Sequence, residues 1–366
     1  MAYFQFQNVC ISGVSAAVPK NCISNLEPQG NGGKIFADYS SGDFVALTGV
    51  KERRFSEKLC ASDLCFAAAE KLIHDLGWNK ADIDAVLFVS QYPDYKLPCT
   101  ACILQDRLGL SKECWAQDSS LGCTGWVYGV SMLAGLLQCG SIRKALLLVG
   151  DGKRWVHFND PLFGHAGTAT ALEYSSTPSD ASSSLYCHYG TDGSGYDAII
   201  IPDGGARNGI NVGSFAPTNI EGRMLNALQP HMKGMDVFSF GITTAPKTIK
   251  KLAEHYAFDY QSFDYYLFHQ ANMKMNNMIV KKLKLDPAKV PSEMYNFGNT
   301  SSASIPLLMV TQIRDQIDGK KKKFLCCGFG VGLSWGTVAF EQAISVSPLV
   351  EVDDSEANYG YKLPEV

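Results

Sequence analysis

The stretch Asp118-Ser-Ser-Leu-Gly-Cys-Thr-Gly-Trp126, with the apolar run from Val127 to Gln138 behind it, predicts a strand, a tight turn and a buried helix. The strand ends near Asp118, the chain turns at Gly122, and the helix opens at Cys123. Free N–H groups at a helix N-terminus favour an anion, so we expect the pKa of this thiol to fall from about 8.5 toward neutrality. A buried structural cysteine on a core helix is the alternative interpretation, and the rest of the chain must decide between the two.

Strands and helices alternate on both sides of this stretch. The first half predicts strands at 9–18, 83–90, 114–118 and 144–150 and helices at 61–76 and 98–108. The second half predicts helices at 235–255, 272–285 and 301–317 and strands at 263–268, 323–329 and 333–340. Such alternation is typical of βαβ crossovers in a mixed or parallel sheet. Because the halves share an order of elements, we expect a duplicated α/β fold with an N-terminal half over residues 1–205 and a C-terminal half over residues 206–366.

The composition describes an ordinary globular protein of 366 residues, with 46% apolar and 19% charged residues. A formal net charge of -4 gives no electrostatic reason to expect nucleic acid or an anionic membrane as a partner. No apolar stretch reaches the roughly 18 residues of a membrane span, and the N-terminus lacks the pattern of a signal peptide. We therefore expect a cytoplasmic protein with reduced cysteines.

Twelve cysteines are scattered along the chain, and Cys99 and Cys102 form a C-x-x-C pair. A zinc site needs a second close pair with compatible spacing, which the adjacent Cys326 and Cys327 do not supply. We interpret Cys99 and Cys102 as two small residues on a helix, and we expect neither a metal nor a resident cofactor.

Two polar residues in the second half also lie where predicted elements end. His269 follows an apolar strand in His269-Gln-Ala-Asn272, and Asn299 follows a glycine turn in Gly298-Asn-Thr-Ser-Ser-Ala-Ser304. Separately, a histidine at a strand end can be structural and an Asn-Thr pair can simply open a helix. Strand ends on one edge of an α/β sheet assemble sites, and a Cys with a His and an Asn is a coherent set for acyl chemistry on sulfur.

The glycine-rich segment Gly328-Phe-Gly-Val-Gly-Leu-Ser-Trp-Gly336 completes the set. It predicts a tight strand-to-strand crossing that brings backbone N–H groups close to a thioester oxygen. A dinucleotide-binding loop is the alternative. That interpretation fails because a strand-like sequence follows and no acidic residue ends a second strand about 20 positions on.

In this order and at these separations, the segments closely resemble the ketoacyl-acyl-carrier-protein synthase III family of the thiolase superfamily. Thr48-Gly-Val-Lys-Glu-Arg-Arg54 and Leu97-Pro-Cys-Thr-Ala101 match two further segments of that family, so the resemblance covers nearly the whole chain. It implies a five-layered α-β-α-β-α duplication, a homodimer and an acyltransferase of fatty acid biosynthesis and lipid metabolism.

The resemblance also implies a two-stage reaction. Cys123 takes an acyl group from a thioester, and the backbone N–H groups of Cys123 and Val331 form the oxyanion hole. A malonyl unit on an acyl-carrier protein then loses CO₂, and its enolate attacks the acyl-enzyme. His269 and Asn299 both donate hydrogen bonds to the thioester oxygen as charge develops there.

Two departures from the family concern the acyl donor. Asp43 and Leu47 stand where members that hold coenzyme A usually have a Trp and an Arg. The segment Asp160-Pro-Leu-Phe-Gly-His-Ala-Gly167 lacks a usual Arg and has His165 in place of an acid. Pro or Leu cannot replace the phosphate contacts of an Arg. We therefore expect a carrier-bound donor, with acyl-coenzyme A held in another way as the alternative.

Three further residues are expected in the substrate pocket or at the carrier contact. Leu97 replaces a frequent Phe that, in the family, crosses the dimer to bound the partner's acyl tunnel. Trp126 follows the turn that contains Cys123. Lys274 stands where family members use a basic residue toward the carrier protein, although a solvated helix face explains Lys274 equally well. Two other functions stay open: transfer of the acyl group to an O, N or S nucleophile, and a non-catalytic partner subunit. The presence of Asn299 favours condensation.

Overall fold

A computed structural model describes residues 2–26, 34–36, 39–152, 160–175 and 184–357. Its strands are β1 (Ala2–Phe6), β2 (Val9–Pro19), β3 (Cys22–Ser24), β4 (Lys34–Phe36), β5 (Tyr39–Ser40), β6 (Glu52–Arg54), β7 (Ala85–Val89), β8 (Trp115–Ser119), β9 (Lys144–Asp151), β10 (Ala166–Tyr174), β11 (Leu185–Thr191), β12 (Ile199–Ile200), β13 (Thr218–Ile220), β14 (Arg223–Leu225), β15 (His231–Met232), β16 (Tyr265–Phe268), β17 (Lys321–Gly330), β18 (Ser334–Ala343), β19 (Ser345–Val346) and β20 (Val350–Val352). Its α-helices are α1 (Ser41–Thr48), α2 (Ala61–Leu76), α3 (Thr100–Arg107), α4 (Gly125–Gln138), α5 (Gly234–Tyr256), α6 (Met273–Leu283), α7 (Met294–Phe297), α8 (Ser304–Thr311) and α9 (Arg314–Ile317).

Two large sheets form the frame of the molecule. The first has the order β19-β2-β10-β9-β7-β8, with β20 also paired to β2. In it β2, β10 and β9 are antiparallel, whereas β9, β7 and β8 are parallel, which confirms the mixed sheet. The second has the order β1-β11-β18-β17-β16.

Helices cover both sheets on both faces. In β9, Leu147 faces a central core that α4 and α8 share with both sheets, while Leu146 and Leu148 face the outer helices α2 and α3. In β17, Cys326 faces the same central core and Cys327 faces α5 and α6. Successive side chains of these strands thus point to opposite faces of the sheet, and both faces are buried. The result is five layers in the order α-β-α-β-α, as expected. In the described part of the chain, no helix is long and apolar enough to cross a membrane.

Each large sheet contains strands from both the N-terminal and the C-terminal part of the chain. β1 and β11 precede residue 205 but pair in the second sheet, where β11 lies beside β18. β19 and β20 come from the C-terminal part but pair with β2 in the first sheet. The proposed division at residues 205 and 206 stays a prediction, and these pairings show that each sheet contains strands from both sides of it.

Several predicted boundaries shift in the structure. Helix α4 begins at Gly125 with Thr124 as its N-cap, two residues after the expected start at Cys123. The helix expected at 301–317 is divided into a short 3₁₀ turn, α8 and α9. Strands β1, β10 and β11 were not predicted. Ala and Gly in β10 carry little strand signal, whereas β1 and β11 contain the Tyr and Phe residues that are typical of strands and were missed.

Candidate active site

Cys123, His269, Asn299 and Val331 line one pocket with a cavity volume of about 280 Å³. Most of its wall is apolar, with contributions from the following side chains: Leu162, Phe163, Ile199, Ile200, Ile201, Met232, Val237, Phe240, Met275 and Phe329. Among the described residues that line it, none is a Lys, Arg, Asp or Glu. The pocket therefore fits a slender, largely uncharged group and has a polar cluster on its wall.

Cys123 lies in the turn between β8 and α4, which the bond from the Gly125 N–H to the Gly122 carbonyl closes at 2.7 Å. The end of β17 runs directly against this turn. A Cβ on Gly330 would stand 2.6 Å from the Cβ and 2.8 Å from the Sγ of Cys123. Only a glycine at position 330 allows the two backbones to approach this closely.

Burial governs the acidity of the Cys123 thiol and raises its pKa to about 11, with the carboxyl of Asp151 acting in the same direction. The backbone N–H groups of Val331 and Cys123 bond to the thiol and act in the opposite direction. The pKa near neutrality expected from the sequence is therefore wrong for the free site. Desolvation outweighs the local donors, and the helix starts two residues after the cysteine.

His269 follows β16, and its backbone N–H donates to the Cys327 carbonyl at 2.9 Å. Its Nδ1 lies 2.9 Å from Ser304 Oγ, which itself donates to the Ser301 carbonyl at 3.0 Å. We assign the Ser304 hydroxyl proton to that bond, and under this assignment Nδ1 donates to Ser304. The other ring nitrogen, Nε2, is then unprotonated and can accept a proton.

His269 is neutral in the folded protein. Burial lowers the pKa of its imidazole to about 4, and the Ser301 carbonyl only partly offsets this effect. Cys123 and His269 therefore coexist at neutral pH as a thiol and a neutral imidazole rather than as an ion pair.

Asn299 is fixed through both its side chain and its backbone. Its Oδ1 accepts from the Ser301 N–H at 2.9 Å, so the Nδ2 group is the end left to donate. Its backbone N–H donates to the Leu162 carbonyl at 2.8 Å, and its carbonyl accepts from the Gly164 N–H at 3.1 Å. The preceding Gly298 makes the sharp turn with a φ of 66°. Asn299 is thus a preorganised donor with little freedom to rotate.

Val331 lies in the turn between β17 and β18, and two hydroxyl groups hold that turn. Ser334 Oγ donates to the Val331 carbonyl at 2.8 Å and lies 2.9 Å from Thr124 Oγ1. Since Ser334 has used its proton, Thr124 donates to it. Sequence reasoning missed these two residues and also Ser301 and Ser304. The only sequence signal for these four residues was their position inside the motifs that contain Cys123, Asn299 and the glycine-rich segment.

The three expected pocket or carrier residues do not join this cluster. Leu97 is 86% exposed in the loop before α3. Trp126 is buried in the central core, where its Nε1 donates to Thr170 Oγ1 at 3.0 Å. Lys274 is the second residue of α6 and lines a separate surface groove with Asp43 and Leu47.

Two other sequence observations have structural explanations. Asp160 is buried and paired with Arg223 of β14, whose Nη2 lies 2.6 Å from Oδ2 of Asp160. His165 is also buried, and its ring packs against Phe55 at a centroid distance of 4.6 Å. Neither Asp160 nor His165 is among the described residues that line the pocket.

The C-x-x-C pair lies at the start of α3, with Cys99 as the N-cap and its Sγ 3.2 Å from that of Cys102. Within the described ranges, no three His, Cys, Asp or Glu side chains are grouped to hold a metal ion. The pair therefore has no third or fourth ligand beside it in the part of the chain that the structure covers.

Comparison with known proteins gives consistent matches. Residues 254–342 match the family described as the 3-oxoacyl-(acyl-carrier-protein) synthase III C-terminal part. The beta-ketoacyl-(acyl-carrier-protein) synthase III of Clostridioides difficile is 31% identical over 89% of this chain and 96% of its own length. The crystal structure of a 3-oxoacyl-(acyl-carrier-protein) synthase from Burkholderia xenovorans is 34% identical, with a TM-score of 0.85 over 96% of this chain and 99% of that chain. Xanthomonas campestris OleA, at 19% identity and a TM-score of 0.75 over 92% of this chain and 99% of its own, shares the fold alone.

Proposed function

This chain belongs to the 3-oxoacyl-(acyl-carrier-protein) synthase III family of condensing acyltransferases in the thiolase superfamily, and from that premise we propose a two-stage reaction on Cys123. An acyl group first moves from a thioester to the Cys123 sulfur. A malonyl unit on an acyl-carrier protein then loses carbon dioxide and takes up the acyl group. The observation that carries the proposal is the meeting of Cys123, His269, Asn299 and Val331 on one uncharged pocket.

The protonation states of Cys123 and His269 support the first stage. The thiol proton of Cys123 passes to the unprotonated Nε2 of His269, and the thiolate attacks the carbonyl carbon of the donor thioester. The backbone N–H groups of Cys123 and Val331 bond to the oxyanion, as they already bond to the thiol. When the donor's carbon–sulfur bond breaks, the proton on Nε2 goes to the leaving thiol, and His269 is neutral again.

The second stage needs hydrogen-bond donors at the enolate oxygen. Asn299 supplies one through Nδ2. His269 supplies another only as its other tautomer, with the proton on Nε2, and that tautomer requires the Ser304 hydroxyl to turn from the Ser301 carbonyl toward Nδ1. Neutral donors stabilise the enolate without protonating its carbon, and each is worth about 3 kcal/mol in comparable sites. The Cys123 sulfur leaves as a thiolate and takes up a proton from solvent.

The charges around the pocket favour a carrier-bound donor over coenzyme A. The described lining has no cation for a phosphate, and the nearby Arg223 is already paired with buried Asp160. The groove that contains Lys274 and Lys281 also contains Asp43 in place of an expected aromatic contact. Lysines beside the pocket suit the acidic surface of a carrier protein, whereas a nucleotide would need bidentate or stacking groups.

We further propose that the protein is a homodimer in which Leu97 contacts the partner subunit. A leucine that is 86% exposed in a single chain is consistent with a contact of this kind. Sedimentation of the wild type and of Leu97→Asp tests it: the wild type should be a dimer and the variant should dissociate. A wild-type monomer would refute the proposal. The expected cytoplasmic location stays a prediction.

The function itself is tested by intact mass, evolved carbon dioxide and product analysis. Purified protein is incubated with acyl-carrier and acyl-coenzyme A thioesters, and then with malonyl-carrier protein. We expect an acyl adduct that Cys123→Ala abolishes, carrier thioesters that label faster than coenzyme A thioesters, and a 3-oxoacyl product formed with release of carbon dioxide. Equal labelling by both kinds of donor would refute carrier preference but not the reaction.

One observation favours a second candidate function, acyl transfer without condensation. The Nε2 of His269 is a proton acceptor in the folded tautomer, which suits removal of a proton from an O–H, N–H or S–H nucleophile. Such an enzyme would pass the acyl group on without condensation. Acyl-enzyme that is discharged by a small nucleophile, with no carbon dioxide from malonyl-carrier protein, would support this alternative and exclude the first.

A further inference from the structure

Two polar side chains lie on the pocket wall beside the nucleophile turn and have no role in the proposed chemistry. Gln91 follows the end of β7, and Ser120 follows the end of β8. A Cβ on Gly122 would stand 2.7 Å from Oε1 and 3.0 Å from Nε2 of Gln91. The Gln91 amide therefore rests on the residue that precedes Cys123.

The Gln91 amide has hydrogen-bonding capacity that the described protein does not use. The backbone N–H of Gln91 donates to Oδ1 of Asp151 at 3.1 Å, but neither Oε1 nor Nε2 bonds to any described residue. The Ser120 hydroxyl likewise has no partner among them. Both side chains border a wall that is otherwise mostly apolar. In such pockets a few polar groups fix the orientation and the choice of ligand.

The chemistry decides which part of the substrate meets these groups. In the condensation the malonyl thioester must place its oxygen at His269 and Asn299, so its carbon approaches Cys123 from their side. The chain of the acyl group on Cys123 must leave that side clear. The Gln91 amide, next to Gly122, and Ser120 line the same pocket beside Cys123, and a chain that leaves Cys123 along that wall meets them.

We propose that Gln91, assisted by Ser120, forms a polar subsite that selects short acyl groups with a hydroxyl substituent over their unsubstituted counterparts. This inference rests on the proposed function and adds the class of acyl group to it. A hydroxyl can donate to Oε1 and accept from Nε2 of the same amide. An apolar chain would displace water from the half-buried Gln91 amide, and an amide buried without a partner costs about 1–3 kcal/mol.

Gly122 keeps the subsite in place, because a larger residue there would collide with the amide. The absence of a Cβ at position 122 therefore leaves the space that the amide occupies beside Cys123.

The test compares butyryl- and 3-hydroxybutyryl-carrier protein, which differ only in the hydroxyl group. The rate of Cys123 acylation is followed by intact mass for the wild type and for Gln91→Met, which keeps the chain length but removes the amide. We expect the wild type to prefer the hydroxyacyl donor by about tenfold or more. Gln91→Met should lose this preference through faster reaction with butyryl and slower reaction with 3-hydroxybutyryl.

A matched control is Gln117→Met on β8, whose side chain is exposed and outside the described pocket lining. It should leave the ratio of the two rates as in the wild type. A wild-type enzyme that prefers butyryl or shows no preference, or a Gln91→Met variant that retains the wild-type ratio, would overturn the subsite. If neither these thioesters nor an acetyl thioester acylates Cys123, the proposed function fails instead, and the subsite fails with it.

Discussion

Burial sets the protonation of both ionisable groups that the reaction would use. The pKa of the Cys123 thiol rises to about 11 and that of the His269 imidazole falls to about 4. Between these pH values the Cys123 thiol keeps its proton and the His269 imidazole stays neutral, so neither group carries a charge that the apolar pocket must solvate. In the proposed reaction, the thiolate therefore forms when the proton moves from Cys123 to His269.

The reactivity of Cys123 toward iodoacetamide should report this resting state. Because only the thiolate reacts, we expect the alkylation rate to rise by about tenfold per pH unit from neutral pH until it approaches the pKa of about 11. Peptide mass spectrometry separates Cys123 from the exposed Cys22, Cys102 and Cys139. A rate that is already constant near pH 7 would instead indicate a preformed thiolate and contradict the neutral pair.

Asn299 should matter for condensation far more than for acylation. Asn299→Asp keeps the oxygen that accepts from Ser301 but loses the Nδ2 donor at the enolate. We expect carbon dioxide release and 3-oxoacyl product to fall by about 100- to 1000-fold, while acylation of Cys123 changes by only a few-fold. Asn272→Asp is the control, since it adds the same charge to the pocket wall and leaves Asn299 intact. A comparable loss in both variants would show that charge, and not the donor, is the cause.

Glu293 lies outside the pocket lining but joins the loops that carry His269 and Asn299. Its backbone N–H donates to Gln270 Oε1 at 3.4 Å, and its Oε1 accepts from Thr300 Oγ1 at 3.5 Å. Its side chain is buried, its Oε2 has no partner in the described part of the chain, and burial raises the pKa of the carboxyl well above its usual range.

Glu293→Gln should therefore stabilise the protein near neutral pH and have little effect near pH 4. Above the ordinary pKa of 4.5, the unfolded chain releases a proton that the folded chain keeps, so the stability of the wild type falls as pH rises. The cost grows by about 1.4 kcal/mol per pH unit until the folded-state pKa is reached. Urea unfolding at pH 4 to 7 measures it, with exposed Glu113→Gln as the control. A variant that is no more stable than the wild type at pH 7 would contradict the neutral carboxyl.

At the level of elements, the end of β17 packs directly against the turn that contains Cys123. We expect Gly330→Ala to displace that strand end from Cys123, because its Cβ would stand 2.6 Å from the Cβ of Cys123. The variant should lose about 1–3 kcal/mol of unfolding free energy and form little acyl-enzyme. Gly193→Ala, where nothing lies within 4 Å of the added Cβ, should behave as the wild type. Normal acylation by Gly330→Ala would show that the contact is dispensable.

The elements also show what the sequence could and could not predict about the site. Strand ends and a glycine turn, together with the resemblance, indicated Cys123, His269 and Asn299, because motif order survives divergence of the chain between motifs. The pKa of the Cys123 thiol could not be predicted from the sequence. The burial of this thiol depends on the turn between β17 and β18, which comes from a distant part of the chain and packs against Cys123. Trp126 was misplaced for a similar reason: the start of α4 at Gly125 directs its indole to Thr170 of β10 rather than to the pocket.

At the scale of the whole molecule, the five layers could be predicted from the alternation of strands and helices and from the family resemblance. The pairing of the strands could not be predicted from either. Each half of the chain contains enough strands and helices to suggest its own sheet. Only the structure shows β1 beside β11 and β11 beside β18, and shows β19 and β20 beside β2. Partners so far apart in the chain leave no local pattern, since the same alternating residues serve any neighbour on the sheet.

Because each sheet contains strands from both halves of the chain, we expect the protein to unfold as one unit rather than as two halves. Gln342 of β18 ties the sheets further: its Oε1 accepts from the Ile11 N–H and its Nε2 donates to the Val9 carbonyl of β2, both at 2.8 Å. We expect tryptophan fluorescence and circular dichroism to give one coincident urea transition at a fixed protein concentration.

Gln342→Ala should shift both signals together by about 2 kcal/mol or more, because it leaves two buried backbone groups without partners. Exposed Gln316→Ala of α9 should change the unfolding free energy by no more than about 0.5 kcal/mol. Two separate transitions in the wild type, or a Gln342→Ala variant that moves one signal alone, would mean that the halves are held together only by contact. Coincident shifts would mean that the site, whose groups come from both halves, is assembled by the same cooperative event that folds the chain.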